Sequence, residues 1–201
     1  MVTQLTDWSQ IGKDKGRGKI ALEIGAEHNP WVKYIFPEAS IFYMDLNPRF
    51  KPDILCDAAE IPKKWDNHFD IILASHVLEH FAYNKVVDVL KGWHKCIKEN
   101  GILIVCVPSL EWASKVILNG FEEKLWMGHI YGGQDNIYNT HHMGFTHDLL
   151  EECITRADFK IEFDGWSFYN FRAYDFMGDG KDTKNIEAEQ HVMKARKNGK
   201  G

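Results

Sequence analysis

Short apolar runs punctuate the first half of the chain, and each stops at a polar residue. Ile20-Ala21-Leu22-Glu23-Ile24 leads into Gly25, and Pro30 stands where a helix can open. This pattern predicts a buried parallel strand, a tight turn and a helix N-terminus. Ile41-Phe42-Tyr43-Met44 ends at Asp45, Asp53-Ile54-Leu55-Cys56 ends at Asp57, and Phe69 to Ala74 ends at Ser75-His76. Ile102 to Val107 is apolar throughout and stops at Pro108, as a central strand buried on both faces does.

Helical patterns fill the gaps. Residues 3 to 12 predict a short helix capped at Thr3 or Thr6, and Trp31 to Ile35 a second ended by Pro37. Pro62 to Trp65 reads as one helical turn. Over residues 82 to 98, Val86, Val87, Leu90, Trp93 and Ile97 share one face, and Asn100-Gly101 ends the helix. A helix at about 110 to 118 follows. Thr146 caps another, with Leu149, Leu150, Cys153, Ile154 and Ala157 as its buried side. Strands alternating with helices predict a Rossmann-like, doubly wound α/β sheet.

The C-terminal part reads differently. Lys160 to Phe163 and Ser167 to Tyr174 look like two strands joined through Asp164-Gly165, which implies an antiparallel pair. Residues 1–175 are expected to form one domain. Residues 176–201 read as a charged tail with one helix, Ile186 to Arg196.

The polar strand ends carry the candidate chemistry. Gly25 lets a ligand approach the backbone, and Glu23 places a carboxylate at a strand's carboxyl end. Asp45 lies 20 residues past Gly25, a position from which an acid can take both hydroxyls of a ribose. Asp57, Ser75 and His76 add polar groups at the next ends. Residues 120–145 break the pattern. They hold Gly, His and aromatic residues without a steady period, as an active-site lid would. His129, Tyr131, His141 and His142 lie in it. A histidine there could act as a general base. Adjacent His141 and His142 would point apart in an extended segment, so no metal site is expected. Glu79 and His80 could simply cap or pair.

Composition narrows the classes. The chain has 201 residues, 44% of them hydrophobic, a net charge of −5 and a pI near 6.0. These values suit one domain with a sizeable core and argue against broad nucleic-acid binding. Four cysteines without CxxC spacing fit a reducing, cytoplasmic setting. No stretch is long enough to span a bilayer and no signal pattern opens the chain. The basic loop from Gly12 to Lys19 reads as a solvated connection or a contact to an anionic group.

Leu22-Glu23-Ile24-Gly25, Tyr43-Met44-Asp45, Cys56-Asp57-Ala58 and Ser75-His76-Val77-Leu78-Glu79-His80-Phe81 resemble successive motifs of class I S-adenosylmethionine-dependent methyltransferases. The resemblance covers about residues 18 to 175 and looks like the branch that mostly methylates small molecules. It departs at Glu27, where the family has a second glycine. It implies a seven-stranded sheet of order 3-2-1-4-5-7-6 with the last strand antiparallel. It further implies S-adenosyl-L-methionine as cofactor, with Gly25 and Ala26 at the methionine moiety and Glu23 near its amino group. Asp45 would take the ribose, Leu46 would flank the adenine, and Asp57 and Ala58 would contact the adenine edge. Ser75 and His76 would lie where cofactor and acceptor meet. His141-His142-Met143-Gly144-Phe145 resembles a His-x-x-Gly-aromatic feature of related enzymes, which makes His141 the first choice of base and His129 the second. His80, Tyr131 and His142 would face the acceptor.

The family's motifs for amino-directed DNA and RNA methylation, for cytosine C5 chemistry and for protein arginine are all missing. A small-molecule oxygen or nitrogen acceptor is therefore expected. A non-catalytic nucleoside-binding protein and an NAD(P)-dependent reductase are the alternatives. The missing second glycine and the terminal antiparallel pair speak against the reductase.

Overall fold

The computed structural model describes residues 5–25, 31–120, 123–172 and 185–198. Five strands run parallel: β1 (Ile20–Ile24), β2 (Ser40–Asp45), β3 (Ile54–Leu55), β4 (Phe69–Ser75) and β5 (Ile97–Pro108). Two longer ones, β6 (Phe159–Arg172) and β7 (Asn185–Lys197), complete a seven-stranded sheet of order β3-β2-β1-β4-β5-β7-β6. β7 is antiparallel to both of its neighbours.

The apolar runs sort by parity, because successive side chains in a strand leave opposite faces. Leu103 and Val105 of β5 face one layer together with Leu22 and Ile72. That layer is covered by α3 (Val86–Cys96) through Val86, Leu90 and Trp93, and by α6 (His147–Arg156) through Leu150, Cys153 and Ile154. Ile102, Ile104 and Cys106 face the other layer with Ala21, Ile71 and Leu73. There α1 (Trp8–Ile11) contributes Ile11, and α2 (Val32–Ile35) contributes Val32 and Ile35. Helices thus cover both faces, which is why the central strands lack polar alternation.

Side chains cap the start of several helices. Ser109 accepts from the Trp112 amide at the start of α4 (Leu110–Leu118), and Thr146 accepts from the Leu149 amide. The first helix differs from expectation: Asp7, not Thr3 or Thr6, accepts from the Ser9 amide. Thr3 lies outside the described residues.

Three readings need correction. Asp164-Gly165 is not a turn, because β6 runs through it with Gly165 opposite Val192 and a register shift between Ile161 and Phe163. The expected helix from Ile186 to Arg196 is strand β7, so the sheet extends to Lys197 and the charged tail does not begin at residue 176. Within residues 120–145, Glu123–Tyr131 forms a helix, α5, rather than aperiodic loop.

Candidate active site

Parallel register brings four strand ends to one level. Ile24 stands beside both Met44 and Ala74, Asp45 beside Leu55, and Ser75 beside Cys106. Gly25 follows β1 at φ +71°, and its amide donates to the Met44 carbonyl at 2.9 Å. A Cβ there would lie 2.7 Å from Val77 Cγ2, so both backbone angle and space require glycine.

Glu23 is buried and accepts from the backbone amides of Trp31 (2.7 Å) and Val32 (2.8 Å). It thereby holds the start of α2 against the end of β1. Burial pushes its carboxyl up to about 7, against the opposing pull of those two amides and Lys33. Asp45 accepts from the Asn47 amide at 2.7 Å and Asp57 from the Ala59 amide at 2.8 Å. Both carboxylates are half-buried, and Leu46 beside Asp45 is exposed. The Ala58 carbonyl accepts from Trp93 Nε1 at 2.9 Å, which ties the segment after β3 to α3. Ala26 lies outside the described residues.

A second group of side chains gathers beyond β4. His76 has φ +56°, and its amide donates to the Cys106 carbonyl. Its Nε2 donates to Gln190 Oε1 at 2.8 Å, because the Gln190 amide nitrogen is committed to Ser167 Oγ. The 3-10 turn Leu78–His80 follows. Its Glu79 is 1% exposed, with His76 Nδ1 3.4 Å and His141 Nε2 3.9 Å from Oε1. These are ion-pair separations rather than hydrogen bonds, and neither carboxylate oxygen has a hydrogen-bond partner. Burial alone would raise the Glu79 carboxyl, but the imidazoles of His76, His141 and His80 outweigh it and hold it below the usual range.

The segment around α5 folds onto this turn. The Glu79 carbonyl accepts from the His142 amide, and the Tyr131 carbonyl accepts from the His141 amide. His80 Nδ1 meets the Thr140 carbonyl at 3.0 Å, and His141 Nδ1 meets the His129 carbonyl at 3.1 Å. The rings of His80 and His141 lie 4.9 Å apart, edge to face. Burial lowers His141, with Glu79 pulling the other way. His129 is buried, holds the Ser109 carbonyl through Nε2 at 2.8 Å, and is pushed by burial down to about 4. Tyr131 and His142 are exposed at the rim.

The structure therefore brings His76, Glu79, His80 and His141 together, with His129 packed behind them. Glu79, which the sequence allows to cap, pair or act directly, and Gln190, which has no role there, are the two members outside the expected site. The His-x-x-Glu-His spacing was the available signal for the first. Nothing in the apparent tail pointed to the second. A cavity of about 310 Å³ lies at the other end of the sheet, where Lys19, Asp70, Lys194 and Arg196 line it. Its ionic groups are already paired, Lys19 with Asp14, Asp70 with Lys98 and Arg196 with Glu162. The basic loop belongs to that end, and its Lys15 and Arg17 pair with Glu38.

A doubly wound sheet with a reversed last strand, a glycine turn after β1 and acids after β2 and β3 defines a nucleoside-binding α/β protein. The donor set fits S-adenosylmethionine: Glu23 suits an ammonium, Asp45 a ribose diol and Asp57 an adenine amine. A family model described as a methyltransferase domain matches residues 5–162, and the chain belongs to that family. It is an S-adenosylmethionine-dependent methyltransferase by family, and its cofactor is S-adenosylmethionine.

No curated protein matches the sequence. Among solved structures, a putative methyltransferase from Bacillus halodurans C-125 is 18% identical with TM-score 0.65, over 95% of this chain and 97% of that one. A Burkholderia thailandensis 1,6-didemethyltoxoflavin-N1-methyltransferase with bound 1,6-didemethyltoxoflavin and S-adenosylhomocysteine is 17% identical with TM-score 0.59, over 95% and 76%. A methyltransferase from Archaeoglobus fulgidus is 14% identical with TM-score 0.62, over 94% and 91%. At these identities the likeness is one of fold.

Proposed function

We propose that the chain methylates an oxygen or nitrogen of a small-molecule acceptor in the cytoplasm. The observation that carries this reading is the polar cluster immediately beyond β4. There His141, lowered by burial and held by the His129 carbonyl, points Nε2 toward the buried Glu79. Such a group accepts a proton at neutral pH, which a hydroxyl acceptor must lose. His129 is the weaker candidate, because it is enclosed and its affinity for a proton is depressed further. Bound at the strand ends, S-adenosylmethionine supplies an electrophilic methyl group. Glu23, Asp45 and Asp57 would orient it, and residues 120–145 would act as a lid that excludes water. Tyr131 and His142 at the rim, with His80 behind them, would face the acceptor. The four thiols are free, which fits a reducing compartment. Among the described residues no helix is long and apolar enough to cross a membrane.

A panel of hydroxyl and ring-nitrogen acceptors, assayed for S-adenosylhomocysteine release, tests the reading. His141→Ala should bind S-adenosylhomocysteine as the parent does and lose roughly 10²–10⁴-fold in turnover on a hydroxyl acceptor. Turnover on none of the panel, with transfer to protein or nucleic acid instead, would overturn the acceptor class.

A further inference from the structure

We propose that Glu79, His80 and His141 form a binding site for one divalent transition-metal ion of the zinc or ferrous type. The ligand atoms of Glu79, His80 and His141 all lie within 4.8 Å of one another. Two observations beyond this clustering point to an ion.

The first is the state of Glu79. Its carboxylate is 1% exposed, and neither oxygen has a hydrogen-bond partner. A charge buried that deeply is costly unless a cation or several donors compensate it. A cavity of about 10 Å³ opens beside it, lined among others by Glu79, His129 and His141. That is space for about one small sphere.

The second is the orientation of the imidazoles. Each of the three histidines commits one ring nitrogen to an oxygen: His76 Nε2 to Gln190 Oε1, His80 Nδ1 to the Thr140 carbonyl, and His141 Nδ1 to the His129 carbonyl. An oxygen acceptor holds a proton on that nitrogen, so the other is left either to carry a second proton beside Glu79 or to ligate an ion in its place. For His76 and His141 that other nitrogen is the one nearest Glu79. For His80 it is Nε2. Outer hydrogen bonds of this kind orient metal-ligating histidines. Nitrogen ligands with one carboxylate favour zinc or ferrous ion over calcium or magnesium, which prefer oxygen.

In an extended segment His141 and His142 would point apart and could not share an ion. The structure supplies the partners of His141 from a turn some 60 positions away instead. His142 is exposed and joins through its backbone alone.

An ion here would give the site a Lewis acid. A hydroxyl acceptor coordinated to it would release its proton to water near neutral pH, and His141 would then serve as ligand rather than base. This use of the ion rests on the methyl-transfer reading; the binding of the ion does not.

The test is titration of the chelator-stripped full chain with Co²⁺, followed by visible absorption and calorimetry, with Zn²⁺ as competitor. One Co²⁺ per chain is expected, with ligand-field bands that Zn²⁺ removes. His80→Ala and His141→Ala should each weaken binding by roughly 100-fold or more. His80 is only half-buried, so its variant guards against a misfolded Glu79→Gln. S-adenosylhomocysteine affinity, measured on the same samples, should stay within a few-fold. No Co²⁺ binding by a parent that still binds S-adenosylhomocysteine overturns the metal site and leaves the methyltransferase reading standing. Equal Co²⁺ affinity in His80→Ala and His141→Ala also overturns it. Metal binding without acceptor turnover would sink the acceptor reading alone.

Discussion

His76 Nε2 and Gln190 Oε1 are joined at 2.8 Å across 114 positions of sequence. The bond fastens the turn after β4 to the middle of β7. Gln190 is buried, and its amide nitrogen continues to Ser167 Oγ on β6. Gln190→Leu leaves both neighbours without this partner, so a loss of about 1–3 kcal/mol of stability is expected in urea unfolding. An unchanged midpoint would mean that water replaces the side chain without cost.

Asp45→Ala removes the carboxylate assigned to the ribose. Calorimetry with S-adenosylhomocysteine should show a loss of about 1–3 kcal/mol of affinity with the fold intact, because buried hydroxyls would lose their acceptor. Since Asp45 also accepts from the Asn47 amide, far-UV circular dichroism should accompany the titration. Equal affinity would reduce Asp45 to a turn residue.

At the cofactor's ammonium, the place the resemblance gives it, Glu23 would make binding depend on pH. Its native pKa of about 7 stands above the ordinary 4.5, so the folded chain holds the proton across that window. The stability it contributes is complete below 4.5 and is lost as pH rises through 7. An ammonium ligand needs the ionised carboxylate. S-adenosylhomocysteine affinity should therefore rise up to about tenfold per pH unit approaching 7 from below and then level off. Glu23→Gln should bind more weakly, with the slope gone. A parallel slope in Glu23→Gln would place the titrating group elsewhere.

His147 lies buried at the first position of α6, with Nδ1 3.0 Å from Asp148 and Nε2 2.9 Å from Asp164. Burial works against its charged form, but the two carboxylates outweigh burial and raise its pKa above 6.5. The stability so gained is fully present below pH 6.5 and is lost as pH rises through the native value. Both partners are exposed or half-exposed, so the contribution is about 1 kcal/mol. His147→Asn should lose about that much at pH 6 and less at pH 8 by thermal unfolding. The same loss at both values would make its role packing alone.

The turn after β1 was legible because one residue type suffices there. Gly25 needs a positive φ and no Cβ. The order of the last two strands was legible only through the family resemblance. The residues themselves misled. Ile186, Gln190 and Met193 fall at helical spacing, yet Ala188, Gln190, His191, Val192 and Met193 are all buried in the strand. A central strand packed on both faces has no alternation to announce it, and its Ala, Glu and Lys favour helix when judged locally. Asp164-Gly165 has the composition of a turn, but a bulge after Ile161 lets β6 carry it in register. The histidine cluster was half legible: His76, Glu79 and His80 share one motif, while the placement of His141 depends on how α5 returns across the sheet.

The place of β7 also sets an order of events during synthesis. β5 and β6 never touch in the sheet order; each pairs with β7. A ribosome that has released residues up to 172 has therefore made both flanking strands but not the one that joins them. Until then the apolar run from Ile102 to Val107 offers an open edge to any passing strand. Pairing across so many residues is slow to form and leaves nascent chains open to aggregation. The final strand inserts between two waiting neighbours, and only as translation passes Gln190 does His76 acquire the contact that fixes its ring.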